Sequence, residues 1–176
     1  MARLLIVWWS MTGGSRQLAE AAAAGAREAG GGDGGESGSG GASHLAVDLV
    51  RADRAGPDDV LASAGFLFVA PENLGTVAGM MKDFFDRTYY AALDEVNGRP
   101  YAAIVCAGSD GQGAARQIER IATGWRLRRI AETLIVCTHA QTPEAILAPK
   151  TIPPAELDRA REVGATLAGG LSLGLW

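Results

Sequence analysis

The chain is poor in the residues that many protein chemistries depend on. Its 176 residues include two cysteines and two histidines, too few for a disulfide framework or for a Cys/His metal centre at ligand spacing. Both thiols, Cys106 and Cys137, sit inside apolar runs, where reduced cysteine behaves as a small hydrophobe. That usage fits a reducing, cytoplasmic setting. The longest apolar runs, such as Leu4–Trp9 and Phe66–Ala70, fall far short of the ~20 residues of a membrane span. Met1-Ala2-Arg3 leads straight into such a run without a small-residue cleavage site, so no signal peptide is read. There is no dense Lys/Arg stripe, and the formal net charge is −4, which argues against a nucleic-acid partner. The G-x-x-x-x-G-K-[ST] phosphate loop, G-x-G-x-x-G and the G-x-S-x-G nucleophile elbow are all missing.

What is present is a core. Hydrophobic residues make up 48% and charged residues 20%, ordinary for one globular domain spanning 1–176. Four apolar runs, Leu4–Trp9, Gly65–Ala70, Tyr101–Ala107 and Leu134–Thr138, are continuous rather than alternating, the pattern of parallel strands covered on both faces. A fifth, His44–Val50, alternates around Asp48 and is expected at an edge. Helical patterns lie between the strands: Gly14–Ala29, Asp58–Ala64, Val77–Tyr90, Ala114–Trp125 and Pro154–Leu171. Five alternations of strand and helix predict an α/β protein with a doubly wound parallel five-stranded sheet, order 2-1-3-4-5, and helices on both faces. Gly30–Ser43, nearly all Gly, Ser and Ala, reads as a flexible insertion.

In such a sheet ligands bind beyond the carboxyl ends of the strands, which singles out three loops. The first, Ser10-Met11-Thr12-Gly13-Gly14-Ser15, turns directly into a helix. Hydroxyls, exposed N–H groups and a helix dipole together make an anion site, and without the Walker spacing a monophosphate fits it best. A Ser/Thr-capped helix start would use the same residues. The second loop begins Pro71-Glu72-Asn73-Leu74-Gly75-Thr76, and the third is Ala107-Gly108-Ser109-Asp110-Gly111-Gln112-Gly113. Glycines there let backbone N–H and C=O groups approach a flat ligand with a donor and acceptor edge. Glu72, Asn73, Ser109 and Asp110 serve equally well as turn or cap residues.

The motif Ser10-x-Thr12-Gly13-x-Ser15 resembles the FMN phosphate loop of the flavodoxin-like superfamily. The run from Pro71 through Gly79, Lys82 and Asp86 is similar to the corresponding segment of NADPH-dependent FMN reductases. It differs at Asn73 and Leu74, where a Tyr-Asn pair is common in that family, and at Ala78. The resemblance implies FMN as cofactor and NADH or NADPH as hydride donor. It implies cofactor contacts from Ser10, Met11, Thr12, Gly13, Gly14 and Ser15 on the first loop. On the other two it implies contacts from Pro71, Glu72, Asn73, Leu74, Gly75 and Thr76, and from Ala107, Gly108, Ser109, Asp110 and Gly113. The expected partner is a small acceptor such as a quinone or free flavin, with a homodimer or homotetramer as the assembly. Single-electron carriers of the same superfamily are the alternative. They usually sandwich the flavin ring between aromatic side chains and carry a strongly acidic rim. Neither Pro71–Thr76 nor Ala107–Gly113 contains an aromatic residue.

Other candidates take blander readings. His139 falls beyond the fifth strand and reads as a loop histidine, since hydride transfer to a flavin needs no protein base. Arg126, Arg128 and Arg129 read as a solvated helix end, although such a cluster also suits a dinucleotide phosphate. Tyr89 and Tyr90 read as core or subunit interface. Trp9, next to the first loop, packs by default but stands within reach of a ribityl chain.

Overall fold

The computed structural model of the chain describes residues 2–31 and 45–176. The predicted insertion therefore falls largely, and His44 wholly, outside the described residues. Five principal strands, β1 (Arg3–Trp8), β2 (Ala46–Arg51), β3 (Gly65–Asn73), β5 (Pro100–Ala107) and β7 (Leu134–Cys137), form one parallel sheet in the order β2-β1-β3-β5-β7. This is the 2-1-3-4-5 winding that the run pattern predicts. Two short strands were not anticipated. β4 (Thr76–Val77) folds back antiparallel onto the end of β3, and β6 (Arg128–Arg129) pairs with the start of β5. β2 pairs only with β1 and is an edge, and each of its residues is half-buried. That matches the alternation read around Asp48. No helix of the described residues is long and apolar enough to cross a membrane.

The helices are α1 (Gly14–Ala29), α2 (Pro57–Leu61), α3 (Gly79–Ala92), α4 (Gln112–Gly124), α5 (Pro143–Leu147) and α6 (Pro154–Ser172). α1 and α6 cover one face of the sheet with small residues. Ala19, Ala22, Ala23 and Ala26 meet Ala160, Leu167 and Ala168 there. The two backbones come so close that a Cβ on Gly164 would lie 1.9 Å from the Ala22 carbonyl oxygen. α3 and α4 cover the other face over an aromatic core, in which the Phe68 ring meets Phe85 edge-on at 4.9 Å and Trp125 at 6.3 Å. The predicted stripe of α3 buries Met81, Phe84 and Phe85, and the ion pairs Lys82–Asp86 and Asp83–Arg87 form on its outer face. α3 starts two residues later than its stripe suggests, because Val77 joins β4 and the Ala78 N–H donates to the Pro71 carbonyl. α5 was not predicted. It has five residues, none buried, and so carries no apolar periodicity to read.

Candidate functional site

Both β1 and β5 end in a loop whose last residue is a glycine in the left-handed region, and a helix follows at once. Gly13 has φ 88° before α1, and Gly111 has φ 83° before α4. A side chain is strained at such angles. Gly111 is fixed by space as well, since a Cβ there would stand 2.5 Å from Ile135 Cγ2. The two helix starts thus share one geometry at the carboxyl end of the sheet, but they are satisfied differently.

At α4 the protein supplies its own anion. The Gly111 N–H donates to Glu72 Oε1 at 3.0 Å and the Ala114 N–H to Glu72 Oε2 at 2.9 Å. The carboxylate comes from the second loop, at the end of β3. Gln117 closes the same junction by accepting from the Val77 N–H at 2.8 Å. Gly113 allows the close approach, since a Cβ there would lie 1.9 Å from the Gly75 carbonyl oxygen. The β3–β4 hairpin and the α4 start are one unit, so Glu72 and Gly113, predicted to contact cofactor, have scaffold work to do. Leu74 and Gly75 form the hairpin tip with φ 53° and 76°, the pairing of a type I′ turn. Leu74 is fully exposed there.

At α1 no side chain caps the helix and no acid lies in its first turn. Ser10 Oγ accepts from the Gly13 N–H at 3.0 Å and shapes the loop. Ser15 is 1% exposed, and its hydroxyl faces the Cys106 thiol with no oxygen or nitrogen partner. A buried hydroxyl without an oxygen or nitrogen partner costs about 1–3 kcal/mol, so the loop carries a donor that the chain itself leaves largely unused. Cys106 lies under the loop, where a Cβ on Gly14 would come 2.7 Å from its Sγ. Burial raises this thiol's pKa to about 11. A helix N-terminus ordinarily lowers a thiol pKa, but here desolvation is the larger effect.

Two adjoining hollows open above these residues. One of about 180 Å³ is lined by Ser10, Met11, Thr12, Gly14 and Ser15 with Pro71, Asn73 and Cys106. The other, about 110 Å³, is lined by Pro71, Glu72, Asn73, Ala107 and Gly108 among others. The fold therefore brings all three predicted loops to one place. Gly13 shapes the first loop, whereas Leu74, Gly75, Thr76, Ser109 and Asp110 are exposed and line neither hollow. Among the described residues no aromatic side chain lines either hollow. Trp9 instead packs against the aromatic core, with the Arg51 guanidinium 5.2 Å over its ring.

Sequence reasoning missed a third wall. Ile146 and Leu147 of α5 line the larger hollow, and Ile146 and Lys150 line the smaller. The readable signal was Thr142-Pro143, since Thr142 Oγ1 accepts from the Ala145 N–H at 3.3 Å and proline occupies the first turn. The arginines lie elsewhere. Arg128 and Arg129 pair with Pro100 and Tyr101 at the amino end of β5, away from the loops. Arg126 meets Asp94, and Arg129 meets Glu119 and Glu132. His139 is exposed beyond β7 with φ 56°, and Tyr90 is 83% exposed on α3.

Strand order and helix placement define a flavodoxin-like fold. Residues 55–139 match the family of NADPH-dependent FMN reductases, a span that holds the second and third loops and ends at His139. A search of curated proteins finds no match. Among solved structures, the chain is similar to a flavodoxin from the domain Archaea, with 14% identity over 94% of this chain and 96% of that one and a TM-score of 0.70. It is equally similar to a WrbA-like flavodoxin protein from Agrobacterium tumefaciens, with 14% identity over 99% of both chains and a TM-score of 0.70. The flavodiiron protein from Giardia intestinalis matches 98% of this chain with 36% of its own, at 16% identity and a TM-score of 0.72. At these identities the shared property is the fold.

Proposed function

We propose that the protein binds FMN with its phosphate on the α1 start, and that it is an NAD(P)H-dependent oxidoreductase serving a small acceptor. The observation that carries the first half is the buried Ser15 hydroxyl, without an oxygen or nitrogen partner, at a helix start that no acid caps. A phosphate there receives the Ser15 and Thr12 hydroxyls, the first-turn N–H groups and the positive end of the dipole. Gly14 and Cys106 hold the floor. Pro71, Asn73, Ala107 and Gly108 present largely backbone groups to the ring, and Glu72 keeps the second loop in register with the third.

FMN, when bound, supplies a hydride acceptor. The chain's contribution to turnover is to leave one face of the ring uncovered, because among the described residues no aromatic side chain stands in either hollow. A nicotinamide needs that face, since hydride donor and acceptor atoms must approach within roughly 3–3.5 Å. The family match over 55–139 supports this reading over that of a single-electron carrier. The test is optical. Purified protein is incubated with FMN, desalted, and mixed anaerobically with NADH and with NADPH. Bleaching of bound flavin is expected. Retention of FMN without bleaching would favour the carrier, and no retention would overturn both.

A further inference from the structure

Between β7 and α6 the chain crosses the mouth of the site as a strap, residues 138–152, with α5 at its centre. Its feet stand on two of the three site loops. Thr138 donates through its N–H and its hydroxyl to the Ala107 carbonyl, at 2.8 and 3.2 Å. The Lys150 N–H donates to the Thr12 carbonyl at 2.7 Å. Gln17 locks the second foot, because its Nε2 donates to the carbonyls of Gly13 and Lys150 and its Oε1 accepts from the Ile152 N–H. Between the feet the hydrogen bonds run within the strap. The Lys150 ammonium donates to the carbonyls of Ala145, Ile146 and Ala148 at 2.8, 2.8 and 2.6 Å.

The span between the feet rests on little. No residue of α5 is buried, and behind the strap lies a hollow of about 400 Å³ lined by Ala145, Ala148, Pro149 and residues 136–140. Ile146 is 52% and Leu147 77% exposed, yet both line the hollow above the phosphate loop. Two apolar side chains are therefore held over a polar loop with no partner in the chain to bury them. The hollow they wall, about 180 Å³, is smaller than the ~300–1,000 Å³ usual for a cofactor-sized ligand. The space behind the strap is where it can recede.

We infer that the strap is the outer wall of the cofactor site: Ile146 and Leu147 close on a flavin monophosphate seated at α1, and Gln17 and Lys150 are positioning residues that anchor the strap to the phosphate loop. This rests on the FMN reading above. The strap retains ligand by slowing its exit, and the phosphate loop still captures it.

The test measures FMN association and dissociation separately, by stopped-flow flavin fluorescence on the full chain. The variants are Ile146→Ser/Leu147→Ser and, independently, Gln17→Ala. Both should release FMN about tenfold faster or more, with association changed less than twofold. The double variant alters exposed side chains, so its apo melting temperature should match wild type. Amide hydrogen exchange over 142–150 should slow when FMN is added. Wild-type release rates in both variants would overturn the strap as a wall while leaving FMN binding intact. A loss confined to association would assign the strap to capture and overturn retention. Wild-type protein that takes up no FMN would overturn the FMN reading, and the strap proposal with it.

Discussion

The starts of α1 and α4 are near twins that the protein finishes in opposite ways. Each follows a central strand, and each begins after a glycine at φ 88° or 83°. α4 receives both oxygens of Glu72, whereas α1 has no cap and keeps a buried hydroxyl without an oxygen or nitrogen partner. Similar helix starts therefore produce a structural joint where the chain brings its own carboxylate, and under the proposed function a docking point where it does not. A helix N-terminus is not a binding site by virtue of its dipole alone. It becomes one when the surrounding fold declines to neutralise it.

Removing the carboxylate is the most damaging way to break the comparison. Glu72→Ala orphans the Gly111 and Ala114 N–H groups and frees the hairpin from α4. The expected loss is about 2–4 kcal/mol, since bonds to a charged group are worth about 1.5–3 kcal/mol each. Urea unfolding measures it, and Glu72→Gln, which keeps one acceptor, should fall between the two. An unchanged midpoint in Glu72→Ala would mean the joint is dispensable.

At the other helix the signs reverse. Ser15→Ala removes a hydroxyl that the apo fold leaves unsatisfied, so apo stability should hold or rise. FMN affinity should nonetheless fall about ten- to a hundredfold. Thr12→Ala should weaken FMN by a similar factor. Calorimetric titration alongside thermal melting separates the two effects, and equal affinity in Ser15→Ala would move the phosphate away from α1.

The thiol beneath α1 gives a smaller, pH-dependent effect. Its folded pKa of about 11 lies above the ordinary value of 9.0, so the unfolded chain loses this proton first. Stability from Cys106 is complete below pH 9 and falls as pH rises towards 11. At pH 9.5 the loss is on the order of 1 kcal/mol, and Cys106→Ala should remove that part of the slope in alkaline urea titrations. The smallest change concerns the hairpin that carries Glu72. Leu74 holds φ 53° while fully exposed, and a left-handed backbone costs a leucine about 1 kcal/mol. Leu74→Asn should recover up to about that amount without altering FMN affinity. A loss of affinity would show that Leu74 touches the ligand.

Much of this architecture was legible before the structure. Continuous apolar runs mark strands covered on both faces, and the alternation around Asp48 marks the edge strand β2. The helix α1 runs from Gly14 to Ala29 as its pattern indicates. The clustering of the three loops follows from the winding of the sheet. The hairpin was not legible, because a leucine at its tip breaks the turn chemistry that would announce it. Nor was α5, which is too short and too exposed to show a stripe.

Sequence alone determined the five principal strands, five of the six helices and the place of the three loops at the carboxyl end of the sheet. Hydrophobic period and glycine placement are local properties, and they suffice for these features. Tertiary structure alone decided which helix start is filled. Glu72 reaches α4 across 39 residues, and Gln17 reaches Lys150 across 133. Such pairings depend on strand order and loop reach, which no local window of sequence contains.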